Sequence, residues 1–451
     1  MKRRDFLKSI AASGLVMNTP WISSSAHADS ITGRYLVVVN ASGGWDPTSL
    51  CDPKGLNEAY PDLSTSFNGS TNSVAVNPAK KLGQIQWSQV PDTVSSSEST
   101  LLKVESQIDG FFNEHGNRMV VVNGIDTGTN NHDTGSRHVW SGLLDAGYPA
   151  MSAFFAATTA PTLPMAFLSN GGYDYTASAV ARARASSSDF IAEIADANLM
   201  RSGYPYLYQD ETMDVYSMVK QAQERRLSRL RDQEQLERRR TQLNQLFGVR
   251  SNESDLSQLT VYIDELNNNV AMDEHWNENT ATSLKKQARV VAAALKANLA
   301  VSANLNTSGF DSHNNHDAQS YPLMGDLLEG VHYLVMALEY LGIREQTTIV
   351  IGSDFGRTPY YNLNGGKDHW PITSMIVLQG DDKTTGGKVF GASTSDFNST
   401  KVNVSSGLAD SSGLVLEPAH VNQELRKLLG VADHPLAELF PLPESNFNIF
   451  V

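Results

Sequence analysis

Short apolar runs rich in β-branched residues alternate along the chain with polar loops and helix-like stretches. The runs that predict buried strands are RYLVVVN at 34–40, NRMVVVNG at 117–124, and segments near 346–352 and 373–379. Helical periodicity marks residues 99–115 and a stretch from about 319 to Leu341. Because strands and helices alternate, we predict an α/β fold with a mainly parallel central sheet and helices on both of its faces.

Residues 186–305 have a different pattern, with helical periodicity and few strand signals. Within them the segment 217–247 (SMVKQAQERRLSRLRDQEQLERRRTQLNQLF) is highly charged, and its leucines form only a narrow apolar stripe. A basic helix of this kind could contact a nucleic acid or another anion, but a solvated helix is the simpler interpretation. We therefore predict a largely helical insertion at about 186–305.

The N-terminus has the pattern of an export signal. Arg3 and Arg4 precede DFLK, a short apolar stretch follows, and AHA at 26–28 is a small-residue cleavage site. We predict a twin-arginine signal peptide over 1–28 and a mature domain over 29–451. The mature protein is expected to be periplasmic or secreted after meeting the twin-arginine export machinery. No later apolar stretch has the length of a membrane helix, so no stable membrane span is predicted.

The net charge and the cysteine content of the chain argue against some classes of function. The formal net charge is −14, and loss of residues 1–28, which hold four basic residues and one acidic residue, takes it to −17. Such an acidic chain argues against a nucleic-acid partner. Cys51 is the only cysteine, which excludes an intramolecular disulfide. We interpret it as a small buried apolar residue.

Polar loops with acidic residues and histidines follow the predicted strands. Asp46 follows the first strand, the loop with His132 follows the second, and Asp354 follows the strand near 346–352. The carboxyl ends of parallel strands lie at one edge of a sheet, where ligands collect. We therefore expect these loops to form one site.

Two further motifs bring the same donor types. SGFDSHNNHDAQSY at 308–321 is predicted to be a loop, and its Asp311 and His313 can present an oxygen and a nitrogen to one cation. GSDFGRTPYYNLNGGKDHW at 352–370 carries a second acidic residue and histidine side by side. The candidate metal ligands are Asp46, Asp311, His313, Asp354, Asp368 and His369.

These residue types suit hard or borderline divalent ions, and we expect two ions, with zinc, calcium, magnesium and manganese equally open. Two ions about 4 Å apart clamp a phosphoryl or sulfuryl group during in-line displacement. Arg357 would bind the anionic oxygens, and a hydroxyl group would attack. Structural interpretations stay open, since Asp46 could bond its own turn and Arg357 could pair with Asp354.

With these motifs in hand, the chain resembles a known family. GGWD after the first strand, NHDTGSRHVWSG, GFDSHNNHD and SDFGRTPYYNLNGGKDHW occur in that order. Together they look like the bacterial domain of unknown function 1501 family, which is similar to the alkaline phosphatase and sulfatase superfamily. The resemblance covers nearly the whole mature chain. It implies an alkaline-phosphatase-like sandwich with a bimetallic site.

The resemblance also implies roles for single residues. The metal-binding positions of the superfamily match Asp46, Asp311, His313, Asp354 and His369, with Asp368 beside the last. Phe355 stands where the superfamily has a histidine. DTGSRHVWSG resembles the nucleophile stretch of alkaline phosphatases and nominates Thr134. His132 and Arg357 are the other catalytic candidates, and the hydroxyls that stay open as nucleophiles are Thr127, Thr129 and Ser136.

The leading hypothesis is an exported metal-dependent hydrolase of phosphate or sulfate esters, acting on an anionic small molecule or polymer. The alternative is a catalytically degenerate relative that acts as a binding or assembly protein of the cell envelope. A redox cofactor protein is suggested only by the twin-arginine pattern, and the sequence has no dinucleotide fingerprint or cysteine cluster to support it.

Overall fold

The computed structural model describes residues 33–54, 79–184, 213–236, 253–268, 280–380 and 386–450, with isolated residues between 239 and 277. Residues from Arg34 onward form one compact unit. The predicted signal peptide at 1–28 lies outside the described residues. In the part of the chain that is described, no helix has the length and apolarity needed to cross a membrane.

The strands of the described residues fall into one large sheet and three small two-stranded sheets. They are β1 (Tyr35–Ser42), β2 (Ala79–Leu82), β3 (Ile85–Ser88), β4 (Met119–Asp126), β5 (Phe167–Ser169), β6 (Arg182–Ala183), β7 (Ser302–Ser308), β8 (Thr347–Gly352), β9 (Gly356–Arg357), β10 (His369–Trp370), β11 (Ile372–Leu378), β12 (Lys388–Phe390), β13 (Lys401–Val402) and β14 (Leu414–Val415).

The large sheet has eight strands in the order β12-β4-β11-β8-β1-β7-β5-β6. Only β11 runs antiparallel to its neighbours β4 and β8, and the other neighbouring pairs are parallel. The central strands are buried along nearly their whole length, as the continuous apolar runs require. The predicted α/β class with a mainly parallel central sheet is thus confirmed. The carboxyl ends of β1, β4, β7 and β8 all point to one edge.

Helices surround the sheet. They are α1 (Glu98–His115), α2 (His132–Ser141), α3 (Met151–Thr159), α4 (Met213–Gln233), α5 (Glu253–Asn267), α6 (Ser283–Lys296), α7 (His316–Tyr340), α8 (Pro418–Leu428) and α9 (Pro435–Leu439). α7 packs against α1 and α6, α3 packs on β1 and β7, and α8 packs on α2. Small residues allow these close approaches, since a Cβ added at Gly330 of α7 would lie 2.6 Å from a Leu284 methyl of α6.

The region predicted as a helical insertion lies between β6 and β7, and its described elements α4, α5 and α6 are all helices. Two boundaries differ from the prediction. The helix expected over 217–247 is interrupted: α4 ends at Gln233, residues 234–236 are not helical, and the described residues 239, 240 and 243 are helical again. The loop expected over 308–321 is shorter, because β7 extends to Ser308 and α7 begins at His316. His316 and Tyr321 face the core, and their burial favours the helix over the loop.

Candidate metal centre

The candidate residues meet at the carboxyl edge of the sheet. Asp311 follows β7, His132 is the first residue of α2 after β4, and Asp354 follows β8. His369 lies in β10, which pairs with β9 so that His369 is opposite Arg357. The parallel strand order thus brings together loops that are far apart in the sequence, as expected from the strand-end pattern.

Three histidines and one aspartate form a tight group, here called the edge cluster: His132, Asp311, His313 and His369. The Nε2 atoms of His313 and His369 each lie 3.0 Å from Asp311 Oδ1. These two Nε2 atoms are 3.1 Å apart. His132 Nε2 lies 3.6 Å from Asp311 Oδ2. One ligand atom each from His132, Asp311 and His369 thus lies within 4.8 Å of the other two, and His313 adjoins Asp311 and His369.

The other ring nitrogen of each histidine is held by an acceptor. The three pairs are His132 Nδ1 with Asp354 Oδ2 at 2.5 Å, His313 Nδ1 with Asp368 Oδ1 at 2.9 Å, and His369 Nδ1 with the Asn130 carbonyl oxygen at 2.8 Å. Carboxylate and carbonyl oxygens only accept, so each Nδ1 carries the proton in its neutral imidazole. Each Nε2 faces the centre of the cluster, and that of His369 lies within hydrogen-bond distance of Asp311 Oδ1.

This arrangement suits a cation. If both imidazoles carry their proton on Nδ1, the Nε2 lone pairs of His313 and His369 face each other at 3.1 Å and also face the Asp311 carboxylate, and a further proton or a metal ion relieves their repulsion. An ion between them would replace each repulsion with a bond. In addition, imidazole ligands of metals usually donate their second N–H to a carboxylate or carbonyl, which is the pattern found here.

The spacing fits a first-row transition metal. Bonds of about 2.0–2.1 Å in a tetrahedral zinc site put neighbouring ligand atoms about 3.3 Å apart. The separations in the edge cluster are 3.0, 3.1 and 3.6 Å. Partial burial raises the pKa of Asp311, but hydrogen bonds from Arg357 and His369 outweigh it and hold this pKa at about 2. The carboxylate is therefore ionised and available as a ligand at neutral pH.

Asp354 and Asp368, which the sequence nominated as ligands, are hydrogen-bonded to imidazoles of the edge cluster. Asp354 is almost fully buried, and besides His132 it accepts hydrogen bonds from the Gly43 and Gly44 amides at 3.1 and 2.6 Å. Asp368 accepts from Asn362 at 3.0 Å as well as from His313. These contacts orient the imidazoles of the edge cluster.

Phe355 forms one wall of the cluster. Its ring centroid lies 4.8 Å from that of His132 and 4.6 Å from that of His369. Gly44 makes room for the ring, since a Cβ at Gly44 would lie 2.5 Å from Phe355 Cε2. The position where the superfamily resemblance implies a histidine is thus filled by an apolar ring that contacts two of the edge-cluster imidazoles.

Asp46 lies in a different group, here called the buried triad: Asp46, Lys367 and His316. Lys367 Nζ lies 2.6 Å and His316 Nε2 lies 3.1 Å from Asp46 Oδ2, and all three side chains are fully buried. Thr48 and Ser49 donate further hydrogen bonds to the Asp46 carboxylate. Burial raises the pKa of Asp46, but the Lys367 ammonium and His316 overcome it and hold it well below its usual range. Within the described residues, an ammonium group therefore stands beside Asp46 at the position predicted for a metal ion.

Arg357 is also fully buried, and its donors are used within the chain. Its Nε donates to the Gly44 carbonyl at 2.9 Å, and Nη1 donates to the Lys367 carbonyl at 3.0 Å. Nη2 donates to Asp311 Oδ1 at 2.5 Å and to the Gly43 carbonyl. Arg357 thus pairs with Asp311 rather than with Asp354, and it anchors the loops that carry the edge cluster.

A cleft of about 430 Å³ opens beside the edge cluster. Its lining residues are Ser42, Gly43, His132, Asp133, Ser136, Gly172, Tyr173, Asp311 and Asp354. The sequence analysis did not nominate Asp133 or Tyr173 as site residues. Asp133 could have been nominated because it is next to His132 in the sequence, whereas Tyr173 has no such signal. Three of these nine residues are aspartates and none is a lysine or arginine, so an ion in the edge cluster would add positive charge to the cleft.

The candidate nucleophiles differ in position. Thr134 is not among the cleft-lining residues, and its hydroxyl lies 2.9 Å from that of Thr129. Thr127 is buried and donates to backbone carbonyls. Ser136 lines the cleft one helical turn after His132. Cys51 is buried, as predicted, and burial raises the pKa of its thiol.

Comparisons with known proteins give one family and several distant structural likenesses. The family model described as "Protein of unknown function (DUF1501)" matches residues 34–409. A search of curated proteins found no match.

Among solved structures, the chain is similar to three proteins whose descriptions concern polysaccharides or sulfatases. The first is a Bacteroides thetaiotaomicron protein from a core genetic locus for the metabolism of multiple glycosaminoglycans, with a TM-score of 0.35 and 8% identity over 89% of this chain and 73% of that chain. The second is Ps i-CgsB in complex with k-i-k-neocarrahexaose, with a TM-score of 0.36 and 8% identity over 92% of this chain and 75% of that chain. The third is a 2-O GAG sulfatase, with a TM-score of 0.33 and 8% identity over 92% of this chain and 76% of that chain. Likeness at this level does not carry residue roles, so the geometry of this chain has to support any function.

Proposed function

Since this chain belongs to the family described as protein of unknown function (DUF1501), we propose that it is an exported metalloprotein that hydrolyses phosphate or sulfate esters. The edge cluster would hold one divalent ion through His132, Asp311, His313 and His369. The observation that carries this proposal is the set of three imidazoles whose Nδ1 atoms are all held by acceptors and whose Nε2 atoms converge on one carboxylate.

The donor set favours a borderline ion such as zinc over calcium or magnesium. Three imidazole nitrogens and one carboxylate suit zinc and its neighbours, whereas calcium and magnesium prefer oxygen ligands. Such an ion supplies Lewis acidity and lowers the pKa of bound water. We propose one ion here rather than two, because Lys367 stands beside Asp46 where a second ion was expected.

The chain's own residues would position the substrate and hold the ligands. Asp354 and Asp368 fix the imidazoles of His132 and His313. Phe355 shields one side of the cluster from water. Ser136 faces the cleft and replaces Thr134 as the favoured hydroxyl group for contact with the substrate.

A second candidate function is metal-dependent binding without turnover, in a cell-envelope protein. Two observations favour it: the donors of Arg357 serve the chain itself, and the described residues that line the cleft include no lysine or arginine. An ester hydrolase usually needs such a cation, or a metal ion, to neutralise the developing charge.

The test is a metal count joined to an activity screen. The mature chain is purified without chelators, and zinc, nickel, manganese and calcium are counted by mass spectrometry. The proposal expects about one ion per chain at the edge cluster, and its loss in His313→Gln/His369→Gln. Thr134→Ala is the matched control, because the Thr134 hydroxyl bonds to Thr129 and Asn131, which do not belong to the edge cluster. A chain that still binds no ion after reconstitution refutes the proposal.

Activity separates the two functions. Aryl phosphates and aryl sulfates are offered to the metal-loaded chain and to the double variant. Turnover that disappears with the ion and falls in Ser136→Ala supports the hydrolase. A loaded chain that turns over none of these esters supports the binding protein. Export remains part of the proposal, and it predicts that a substitution of Arg3 and Arg4 by lysine keeps the chain in the cytoplasm.

A further inference from the structure

A second group of metal-ligating side chains lies where α1 crosses α7, away from the carboxyl edge. Glu114 and His115 are the last two residues of α1, and His332 lies in the second half of α7. His115 Nε2 lies 3.0 Å from His332 Nδ1, and Glu114 Oε2 lies 3.6 Å from the same His332 Nδ1. One ligand atom from each residue falls within 4.8 Å of the others.

We propose that Glu114, His115 and His332 form a second site for a divalent transition-metal ion, independent of the edge cluster. Two imidazoles and one carboxylate are the donor set of three-ligand zinc sites, which leave a further position for water. The same set binds nickel, copper and cobalt ions, whereas magnesium and calcium would be poor occupants. The site is called the helix-crossing site below.

The helix-crossing site combines a preformed interior with an open mouth. His115 is buried and packs edge-on against Phe111, with ring centroids 5.1 Å apart. The His332 side chain is only 18% exposed, whereas Glu114 is 53% exposed. The two imidazoles are thus held by packing before an ion arrives, and Glu114 can close on the ion from the solvent side. Preformed ligands lose less conformational entropy on binding.

Negative charge at this position comes from a helix end and from Glu114. The negative end of the α1 helix dipole lies at its C-terminus, where Glu114 and His115 stand. Glu114 adds a carboxylate. Two arginines also lie near His115, and both have partners: Arg118 pairs with Glu339 at 3.1 Å, and Arg344 donates to the carbonyl oxygens of Thr347 and Gln379.

The two metal sites are separate in space. His316, the first residue of α7, lies in the buried triad near the carboxyl edge, and His332 lies sixteen positions further along the same helix. At about 1.5 Å per residue, that is about 24 Å along the helix axis. An ion at the helix-crossing site would therefore link α1 to α7 without touching the cleft, and its role would be to clamp the two helices.

The experiment counts zinc per chain in the mature protein after chelator treatment and dialysis against buffered free zinc. Four proteins are compared: wild type, His332→Gln, Glu114→Gln and His434→Gln. His434 caps α9 and belongs to neither group, so its variant controls for the loss of a histidine. Each is also made with His313→Gln/His369→Gln, which empties the edge cluster. Zinc-induced shifts of the melting temperature are measured in parallel.

The double His313→Gln/His369→Gln chain is expected to keep about one zinc, and His332→Gln in that background is expected to lose it. Glu114→Gln should weaken zinc binding at least about tenfold. Loss of a residue that only hydrogen-bonds to a metal ligand already lowers metal affinity by about this factor, and Glu114 is proposed as a ligand itself. His434→Gln should change nothing. Circular dichroism of each variant checks folding, and Glu114→Gln, at an exposed position, covers the case in which His332→Gln misfolds.

The outcome separates this inference from the proposed function. If the edge cluster binds no ion but the helix-crossing site does, zinc is lost only with His332→Gln. If the edge cluster alone binds, His332→Gln keeps the wild-type count, and Glu114→Gln keeps the wild-type affinity. That second result overturns the helix-crossing site and leaves the edge cluster intact.

Discussion

Replacement of Lys367 by methionine tests the physical interpretation of the buried triad. Methionine keeps most of the length of the side chain and its apolar body, but it removes the ammonium group. The substitution leaves Asp46 fully buried, with His316 as its remaining basic neighbour. We expect Lys367→Met to be strongly destabilising and its cost to grow with pH.

The magnitude follows from the contacts. Lys367 Nζ donates to Asp46 Oδ2 at 2.6 Å and to the Thr48 hydroxyl at 3.1 Å, and both charged side chains have zero exposure. Loss of one partner from a buried ion pair costs about 3–5 kcal/mol, because the other charge stays buried without compensation. A pair at the surface costs about 0–1 kcal/mol. Lys103 and Asp326, exposed and 3.5 Å apart, provide that comparison.

The pH dependence identifies the cause. In the wild type the pKa of Asp46 is below its usual range, so its stabilising contribution is present above the unfolded pKa of about 3.9 and is lost as pH falls through the folded pKa. In Lys367→Met, burial without the ammonium group raises this pKa, so folded Asp46 keeps a proton that the unfolded chain has released. The stability of the variant then falls as pH rises from about 5, by up to about 1.4 kcal/mol per unit.

The assay is urea unfolding of the mature chain, followed by tryptophan fluorescence at pH 5 and pH 7. Lys367→Met is compared with Asp46→Asn, with the Lys367→Met/Asp46→Asn double variant and with Lys103→Met. The double variant should lose less than the sum of the single losses, because neither charge remains buried alone. The reasoning is refuted if Lys367→Met costs less than about 1 kcal/mol, or if its cost is the same at both pH values.

Three further predictions concern packing and reactivity. Gly366→Ala should abolish metal binding at the edge cluster, because the new Cβ would lie 1.9 Å from the His313 carbonyl carbon. Gly365→Ala is the control, since Gly365 has a positive φ but its Cβ would lie in open space. It should lower the free energy of unfolding by only about 1–2 kcal/mol and keep the ion. Arg357→Lys should lower the unfolding free energy by about 3 kcal/mol or more, measured in urea, because a lysine cannot replace its fork of buried bonds. Cys51 should react with a thiol reagent at pH 8 only after denaturation, and rapid reaction of the native chain would contradict its burial.

The sheet could be predicted because its signal is local. Continuous β-branched runs such as Val120–Val122 in β4 have no polar face, so only burial on both sides of a sheet suits them. The strand-end rule then predicted that the loops with Asp46, His132 and Asp354 share one edge, and His132 and Asp354 do lie in contact there. Helix boundaries were less predictable, because burial of His316 and Tyr321 extends α7 into a segment whose polar residues favour a loop.

The role of each polar residue in the site could not be predicted from the sequence. Sequence gives residue types, but it does not give which imidazole nitrogen faces which neighbour. Asp354 looked like a ligand, and the structure uses it to hold His132. The ion pair between Asp46 and Lys367 joins residues more than 300 positions apart, and no local sequence pattern predicts it. His332 had no motif around it, because its partners in the helix-crossing site belong to another helix.

The wide separation of the edge-cluster residues along the chain has a consequence for biogenesis. His132, Asp311 and His369 come from three distant segments, and they meet only after β4, β7, β8 and β10 have taken their places. A nascent chain offers the proposed ion only the local pair Asp311 and His313, so full coordination would come after the last of these strands has formed. Occupancy of the proposed site would then report completed folding. If the chain is exported already folded, the ion would be bound before export and not after it.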